Sequence, residues 1–548
     1  MTMRTFATLL LGLSMPTLVV AQAGPKLPPA YSAITQADLK RDLYYLASDS
    51  MRGRRAGTTD ELRASMWIAD QLRKIGVQPM GDNGTYFQWW NLRRTRLSSN
   101  SVIRVGNHTF TLWSDIAASG NNEADVTGTT VWVSNPHDTT LNLAGKVAVA
   151  EIVPPLNRGR ETTVNSPEYR YATAAVRAEA AEVSARGAVA VILVADSTTE
   201  IAYDGLRIIG GWGTYAVDGL GGRGGGRGGA AANGAPIGTG AACGGPPLAD
   251  NAAPGRGAGG AGGRGAGGGG RGAGRGGAFG AQAPTLIVHR ALLNEMRADG
   301  KGVTIKLTRE TFTQPSVNIV GVVRGTDPVL RNEYVLFSSH QDHDGVEYAV
   351  NGDSIWNGAD DNGSVSVALL GIARAFVKQP GKRSALFVYH GAEERGLLGS
   401  RFEVAHPVVP LTQIAAVLNG DMIGRNNSDT ASIMGVQPPH MNSRELVTMA
   451  IAANDATGKF HLDSTWDRPT HVEGWYRRSD HLPYAEACVP VLEYSSNLHP
   501  DYHTVRDEPQ NINYPKLLRM TQWMYLTGWT VANAEKRPTL EKVFDVRR

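Results

Sequence analysis

At 548 residues and 58.5 kDa the chain is too long for a single hydrophobic core, since a domain takes roughly 100–200 residues. Apolar residues at 42% and charged residues at 19% exclude a wholly disordered chain. A net charge of +3, from 54 basic and 51 acidic residues, excludes a large field for nucleic acid or a polybasic membrane surface. Two cysteines, Cys243 and Cys488, exclude a disulfide framework and a Cys-rich zinc site; a single bridge stays open.

In chain order, Arg4 precedes an apolar run from Phe6 to Val20, and Ala21-Gln22-Ala23 supplies small residues for cleavage. Residues 1–23 are therefore predicted to be a secretory signal, with the mature chain secreted or periplasmic. Pro16 interrupts the run, which is shorter than the ~20 residues of a spanning helix. No later run approaches that length, so no stable membrane insertion is expected after signal removal. Residues 36–76 read as helical. Thr58 with Glu61 makes a capping box, Leu62, Met66, Ala69 and Leu72 recur at helical spacing, and Gly76 sits where a C-terminal cap belongs.

From about residue 118 the character changes to short β-like runs, 129–133 and 146–150, then an Ala-rich helix near 171–186 and a run over 188–194. Residues 118–311 are predicted to be a small α/β unit inserted into a discontinuous domain of residues 31–117 and 312–535. Within the insert, residues 219–281 hold 29 of the 65 glycines, six arginines and one acidic residue. Such a segment buries too little apolar surface to offset its chain entropy and is expected to be a disordered loop. Arg223, Arg227 and Arg275 each precede two glycines, as in flexible RNA-binding segments. Apart from Phe279, the aromatic residues that would stack on bases are missing, so a solvated loop is expected and nucleic acid is not a partner.

The chemistry lies in the last 230 residues. Four apolar runs, 334–337, 385–389, 414–418 and 489–492, read as buried parallel strands. A helix striped with Val365, Ala368, Leu369, Ile372, Ala373 and Phe376 lies between the first two. The expected fold class is α/β: a doubly wound, mostly parallel sheet with helices on both faces, its ligands beyond the strands' carboxyl ends. Polar clusters occupy those ends: Ser339-His340-Gln341-Asp342-His343, His390-Gly391-Ala392-Glu393-Glu394, Asn419-Gly420-Asp421 and Pro500-Asp501-Tyr502-His503-Thr504. Gly358-Ala359-Asp360-Asp361-Asn362-Gly363 precedes the striped helix. Any one of these is ordinarily a surface pair, a helix start or a turn. Five at one sheet edge are different, because so many adjacent carboxylates cannot all ionise without a cation. Histidine and carboxylate donors without thiolates suit zinc, with cobalt or manganese as substitutes.

Together with Leu46–Thr58, these motifs resemble the secreted bacterial di-zinc aminopeptidases, relatives of glutamate carboxypeptidase II and the transferrin receptor, and the middle unit resembles the protease-associated domain inserted in many of them. The resemblance implies a zinc-dependent exopeptidase acting on peptides, with two zinc ions per chain. It implies that Asp361 bridges the ions, often ahead of a cis peptide, that His340 and Asp421 complete one site, and that Glu394 and His503 complete the other. Glu393 would be the general base, Asp342 would orient His340, and Asp507 would orient His503. Tyr502 or His481 would steady the oxyanion. Glu473, Glu493 or Asp501 would receive a substrate ammonium, and Trp466, Trp475 and Tyr476 would wall a side-chain pocket. His343 and His390 are expected beside the ligands rather than among them. The alternatives are an enzyme removing acidic C-terminal residues, for which Arg477 and Arg478 lie close by, and an inactive binding protein like the transferrin receptor. A single-zinc glutaminyl cyclase fits the ligand set less well.

Overall fold

The computed structural model describes residues 27–138, 140–154, 167–220, 243 and 283–547. The expected signal segment, and all of the expected glycine-rich loop except residues 219, 220 and 243, lie outside the described residues.

The helical stretch at 36–76 divides into α1 (Gln36–Leu46) and α2 (Thr59–Ile75), separated by a tight segment at Asp49–Arg54. The Thr58 side chain accepts from Asp60 and Glu61 N–H, and Gly76 closes α2 with a left-handed φ of 97°. Glu61 departs from the capping box. One carboxylate oxygen accepts from Gly57 N–H and the other from the Ser316 hydroxyl, so the residue caps the turn while tying α2 to the sheet.

The larger sheet is built from β1 (Phe87–Leu97), β2 (Thr214–Val217), β3 (Arg309–Val323), β4 (Tyr334–His340), β5 (Ser384–His390), β6 (Ile414–Gly420), β7 (Thr430–Met434), β8 (His461–Leu462) and β9 (Val491–Ser495), with Gln78–Pro79 pairing beside β3. Their order is β8-β7-β9-β6-β4-β5-β3-β1-β2. β9, β6, β4 and β5 run parallel at the centre; β7, β3 and β1 are antiparallel to their inner neighbours. This is an α/β fold with both faces of the parallel centre covered. Strand alternation sorts the core: Val335 and Phe337 face α1, α2, α3 (Val365–Lys378) and α7 (Tyr514–Asn533), whereas Leu336, Leu386 and Val417 face the layer containing α4 (Leu398–Ala405) and α6 (His481–Glu486). α5 (Arg444–Ala456) packs beside α7.

A second sheet of eight strands among the described residues is formed entirely within residues 102–307. It starts ahead of residue 118, because Val102–Val105, His108–Phe110 and Ile116–Ser119 all pair within it. β2, by contrast, leaves the insert to join the larger sheet, where Tyr215 and Val217 pack against Trp90 and Leu92. The helix Tyr203–Trp212 lays Ile208 and Ile209 against Tyr348 and Trp356 of the hairpin that follows β4. Cys243 and Cys488 form a disulfide with Cα atoms 5.8 Å apart.

Candidate metal centre

The parallel strands end together, and their exits deliver the polar clusters to one edge. His340 is the last residue of β4, Glu393 and Glu394 turn out of β5, Asp421 follows β6, and His503 lies in the loop after β9. Asp360 and Asp361 precede α3, at a turn that needs a glycine. Gly358 has φ 59°, and a Cβ there would stand 2.2 Å from Asp361 O and 2.4 Å from the His343 ring. The Asp361–Asn362 peptide is cis.

Two donor groups result: His340, Asp361 and Asp421, and His343, Asp361, Glu394 and His503. Asp361 belongs to both. Its Oδ1 lies 3.2 Å from His340 Nε2, while its Oδ2 lies 3.0 Å from His503 Nε2. His340 Nε2 also stands 3.7 Å from Glu393 Oε2 and 3.8 Å from Asp421 Oδ1, without a well-formed hydrogen bond to any of the three carboxylates. Glu394 Oε1 is 3.2 Å from His503 Nε2 and accepts from His343 Nδ1 at 2.9 Å. His343, expected outside the ligands, thus stands within the second group.

Burial drives the electrostatics. It raises Glu393 well above the ordinary carboxylate range, with Glu394 and Asp421 adding to the effect and His340 opposing it. Burial alone would lower His340, but Glu393, Asp361 and Asp421 hold it well above its usual value. Burial also opposes the ionisation of Asp361 and Glu394. Even so, the facing imidazoles of His340 and His503 keep Asp361 well below the carboxylate range, and His503 and His343 bring Glu394 to about 2. The pocket draws positive charge to the two Nε2 positions. Imidazole and carboxylate donors without thiolate, converging in a buried site, fit a hard or borderline dication such as zinc.

Neighbouring groups hold these side chains, in part differently from expectation. His340 Nδ1 donates to the backbone carbonyl of Asp342 at 3.1 Å, which leaves Nε2 for the centre. The Asp342 carboxylate lies 3.9 Å from that imidazole and accepts instead from Glu393 N–H at 3.0 Å, so it positions the expected base. Asp507 does not orient His503; its carboxylate accepts from the backbone N–H groups of Asp360 and Asp361. The partner of His503 is Asp344, whose Oδ2 is 2.6 Å from Nδ1 while its Oδ1 accepts from Arg395 at 3.0 Å. Asp344 escaped the sequence reading, although its place at the end of the polar run His340–Asp344 was a usable signal. His390 hydrogen-bonds Tyr484 through Nε2 and stands 3.2 Å from Asp480 at Nδ1, outside both groups.

Of the two oxyanion candidates, only Tyr502 is beside the centre. Its ring lies 3.9 Å from that of His503, and burial pushes its phenol to about 12, so the hydroxyl keeps its proton at neutral pH. His481 is a correction. It opens α6 beneath the sheet, packed edge-on to Tyr476 and 3.1 Å from Glu493, and burial brings it to about 3. Two of the three acids considered for a substrate ammonium are already engaged, Glu473 with Arg478 and Asp501 with Arg425 and Arg506, while Glu493 is buried 3.1 Å from the uncharged His481. Trp466 and Trp475 pack edge to face at 5.7 Å, and Trp475 faces Tyr502. Tyr476 is core, stacked on His440. Arg477 turns away to the carbonyl of Arg547.

Residues 318–527 match the family model described as Peptidase family M28. Aminopeptidase YwaD of Bacillus subtilis is 27% identical over 251 residues, 44% of this chain and 50% of that protein. Leucine aminopeptidase 1 of Trichophyton equinum is 31% identical over 154 residues, 27% of this chain and 39% of that protein. The chain thus spans half or less of the length of these two curated relatives. Among solved structures, BSAP, a zinc aminopeptidase from Bacillus subtilis, superposes with a TM-score of 0.52 at 18% identity, covering 95% of this chain and 99% of that one. An aminopeptidase from Aneurinibacillus sp. strain AM-1 gives 0.50 at 15% identity, covering 93% and 96%. At such identities the structural likeness establishes a shared fold.

Proposed function

Residues 318–527 match Peptidase family M28, and on that match we propose that the chain is a zinc-dependent aminopeptidase that removes N-terminal residues from peptides with two zinc ions. One observation carries this reading: Asp361 turns its two oxygens to two separate donor groups. His340 and Asp421 would hold one ion and Glu394 and His503 the other, with Asp361 between them and His343 steadying Glu394. Bound zinc supplies a Lewis acid that acidifies water and polarises the peptide carbonyl. Glu393, kept basic by burial, takes the proton of the attacking water and returns it to the leaving nitrogen. The protonated phenol of Tyr502 donates to the oxygen on which charge develops.

The arginines that an acidic C-terminal residue would require are already matched, Arg478 by Glu473 and Arg425 by Asp501. The same pairs occupy Glu473 and Asp501, so the preference for N-terminal residues rests instead on the relatives, which are named aminopeptidases. Export by residues 1–23 completes the reading; the Cys243–Cys488 disulfide suits an oxidising compartment. Among the described residues no helix is long and apolar enough to cross a membrane. We propose further that a protease-associated domain is inserted in the peptidase domain; the separate eight-stranded sheet supports this, with the insert starting near residue 102 rather than at 118.

Zinc per chain, and hydrolysis of amino-acyl p-nitroanilides beside the same compounds N-acetylated, test the proposal. Two zinc ions with cleavage of the free amines alone are expected. Cleavage only of N-blocked peptides ending in an acidic residue would replace it with a carboxypeptidase. A chain that takes up no zinc and shows no turnover would leave a binding protein.

A further inference from the structure

The segment Met51–Arg55 enters the centre from behind and has so far been given no task. Arg52, Gly53 and Arg54 all take left-handed φ, at 49°, 64° and 53°, which wedges the chain between two loops. The fit is close: a Cβ on Gly53 would stand 2.3 Å from Trp356 O and 2.7 Å from Gly345 Cα. Arg54 is 1% exposed, and its guanidinium donates to four carbonyls. Nε reaches Gln341 O at 2.9 Å, Nη1 reaches Leu46 O at 3.0 Å and Asn357 O at 2.6 Å, and Nη2 reaches Gly358 O at 2.9 Å. Gln341 directly follows His340, and Gly358 lies three residues before Asp361. One planar fork therefore spans the two loops that carry donors for the first group. His343 N–H donates back to Arg54 O at 3.3 Å, so the second group is tied to the same wedge.

Burial lowers the guanidinium to about 10, so it stays charged at neutral pH, in the field of Asp507, Asp342, Asp361 and Glu394.

We propose that Arg54 is a positioning residue of the metal centre: by clamping the carbonyls of Gln341, Asn357 and Gly358 it fixes the distance between His340 and Asp361, and with it the affinity for the metal. This rests on the zinc reading above. Charge and geometry make opposite predictions. A buried cation repels an incoming dication, so if its charge were what mattered, removing it would tighten zinc binding. If its geometry matters, removing it weakens zinc binding. Lysine separates the two further, since it keeps the charge but lacks a planar fork able to reach carbonyls on separate loops.

The experiment uses the full mature chain as wild type, Arg54→Met and Arg54→Lys. Zinc affinity of the metal-free proteins is read by competition with a chromophoric chelator, the cobalt(II) visible spectrum reports ligand geometry, and kcat and KM are measured separately. Both variants are expected to bind zinc about 10–100-fold more weakly, the range for groups that orient ligands. Their cobalt bands should shift, and kcat should fall more than KM changes. Arg54→Lys matching the wild type in affinity and spectrum would overturn the proposal, as would Arg54→Met binding zinc equally or more tightly. If Arg54→Met does not fold, Arg54→Lys decides alone. A wild type that binds no zinc overturns the functional reading and this inference together; a zinc-binding wild type with unaltered variants overturns this inference only.

Discussion

Replacing Asp344 by asparagine is expected to damage one half of the centre and spare the other. The carboxylate is nearly enclosed and serves two donors, His503 Nδ1 at 2.6 Å and Arg395 at 3.0 Å. Asparagine has one oxygen for the two. Arg395 carries a permanent charge and should win it, which turns the amide NH2 toward His503. Nδ1 can face that group only as an acceptor, so the ring proton moves to Nε2. Nε2 is the nitrogen that stands 3.0 Å from Asp361 and 3.2 Å from Glu394. A metal would have to displace that proton and restore a donor-to-donor clash at Nδ1. Losing a charge-assisted hydrogen bond costs about 1.5–3 kcal/mol, which is roughly 10–150-fold in affinity at about 1.4 kcal/mol per decade. Zinc titration of metal-free Asp344→Asn should therefore be biphasic, with one site near wild type and the other weakened by that factor. The value of kcat/KM at subsaturating zinc should fall in parallel and recover with excess metal. Uniform weakening of both sites, or kcat/KM within about twofold of wild type at all zinc concentrations, would refute the tautomer reasoning.

Glu393→Gln should retain zinc, because the donor groups keep all their members, while kcat falls by about 10²–10⁴, the usual worth of a positioned general base; zinc content beside turnover checks this. Asp361→Ala should instead lose metal, since both groups lose their shared carboxylate. Glu179, 2% exposed in the helix Pro167–Ser184, is pushed by burial from 4.5 to about 8. A raised carboxyl pKa stabilises the fold fully below pH 4.5, and that contribution is lost as pH rises through about 8. Glu179→Gln keeps an acceptor for Val153 N–H and should melt higher than wild type at pH 9, the gap narrowing toward pH 5; a gap independent of pH would contradict this.

The central strands are legible in the sequence because each is apolar on both faces, as a covered parallel sheet requires, and their exits carry the histidines and carboxylates. The register brings His340, Glu394 and Asp421 to one edge, where Asp361 arrives ahead of α3 and His503 on the loop after β9. What was hidden depends on pairings across long stretches of chain. Asp344 meets His503 from 159 residues away, and Arg54 reaches carbonyls about 300 residues on, with backbone oxygens leaving no trace in side-chain identity. Short spacing misled in turn. Asp342 and Asp507 lie two and four residues from the histidines they were expected to orient, but local backbone geometry aims both carboxylates at N–H groups instead. The resemblance offers His481 as an alternative to Tyr502 for the oxyanion, yet its side chain is buried edge-on to Tyr476 and 3.1 Å from Glu493.

The disulfide makes Cys243 a topological divide. A protease cut at Arg223 or Arg227 leaves both cysteines in the C-terminal piece, so the two pieces part in denaturant without reductant. A cut at Arg256, Arg264, Arg271 or Arg275 places Cys243 and Cys488 in different pieces, which stay covalently joined until the bridge is reduced. A clipped chain run on a denaturing gel with and without reductant therefore reports on which side of Cys243 it was cut.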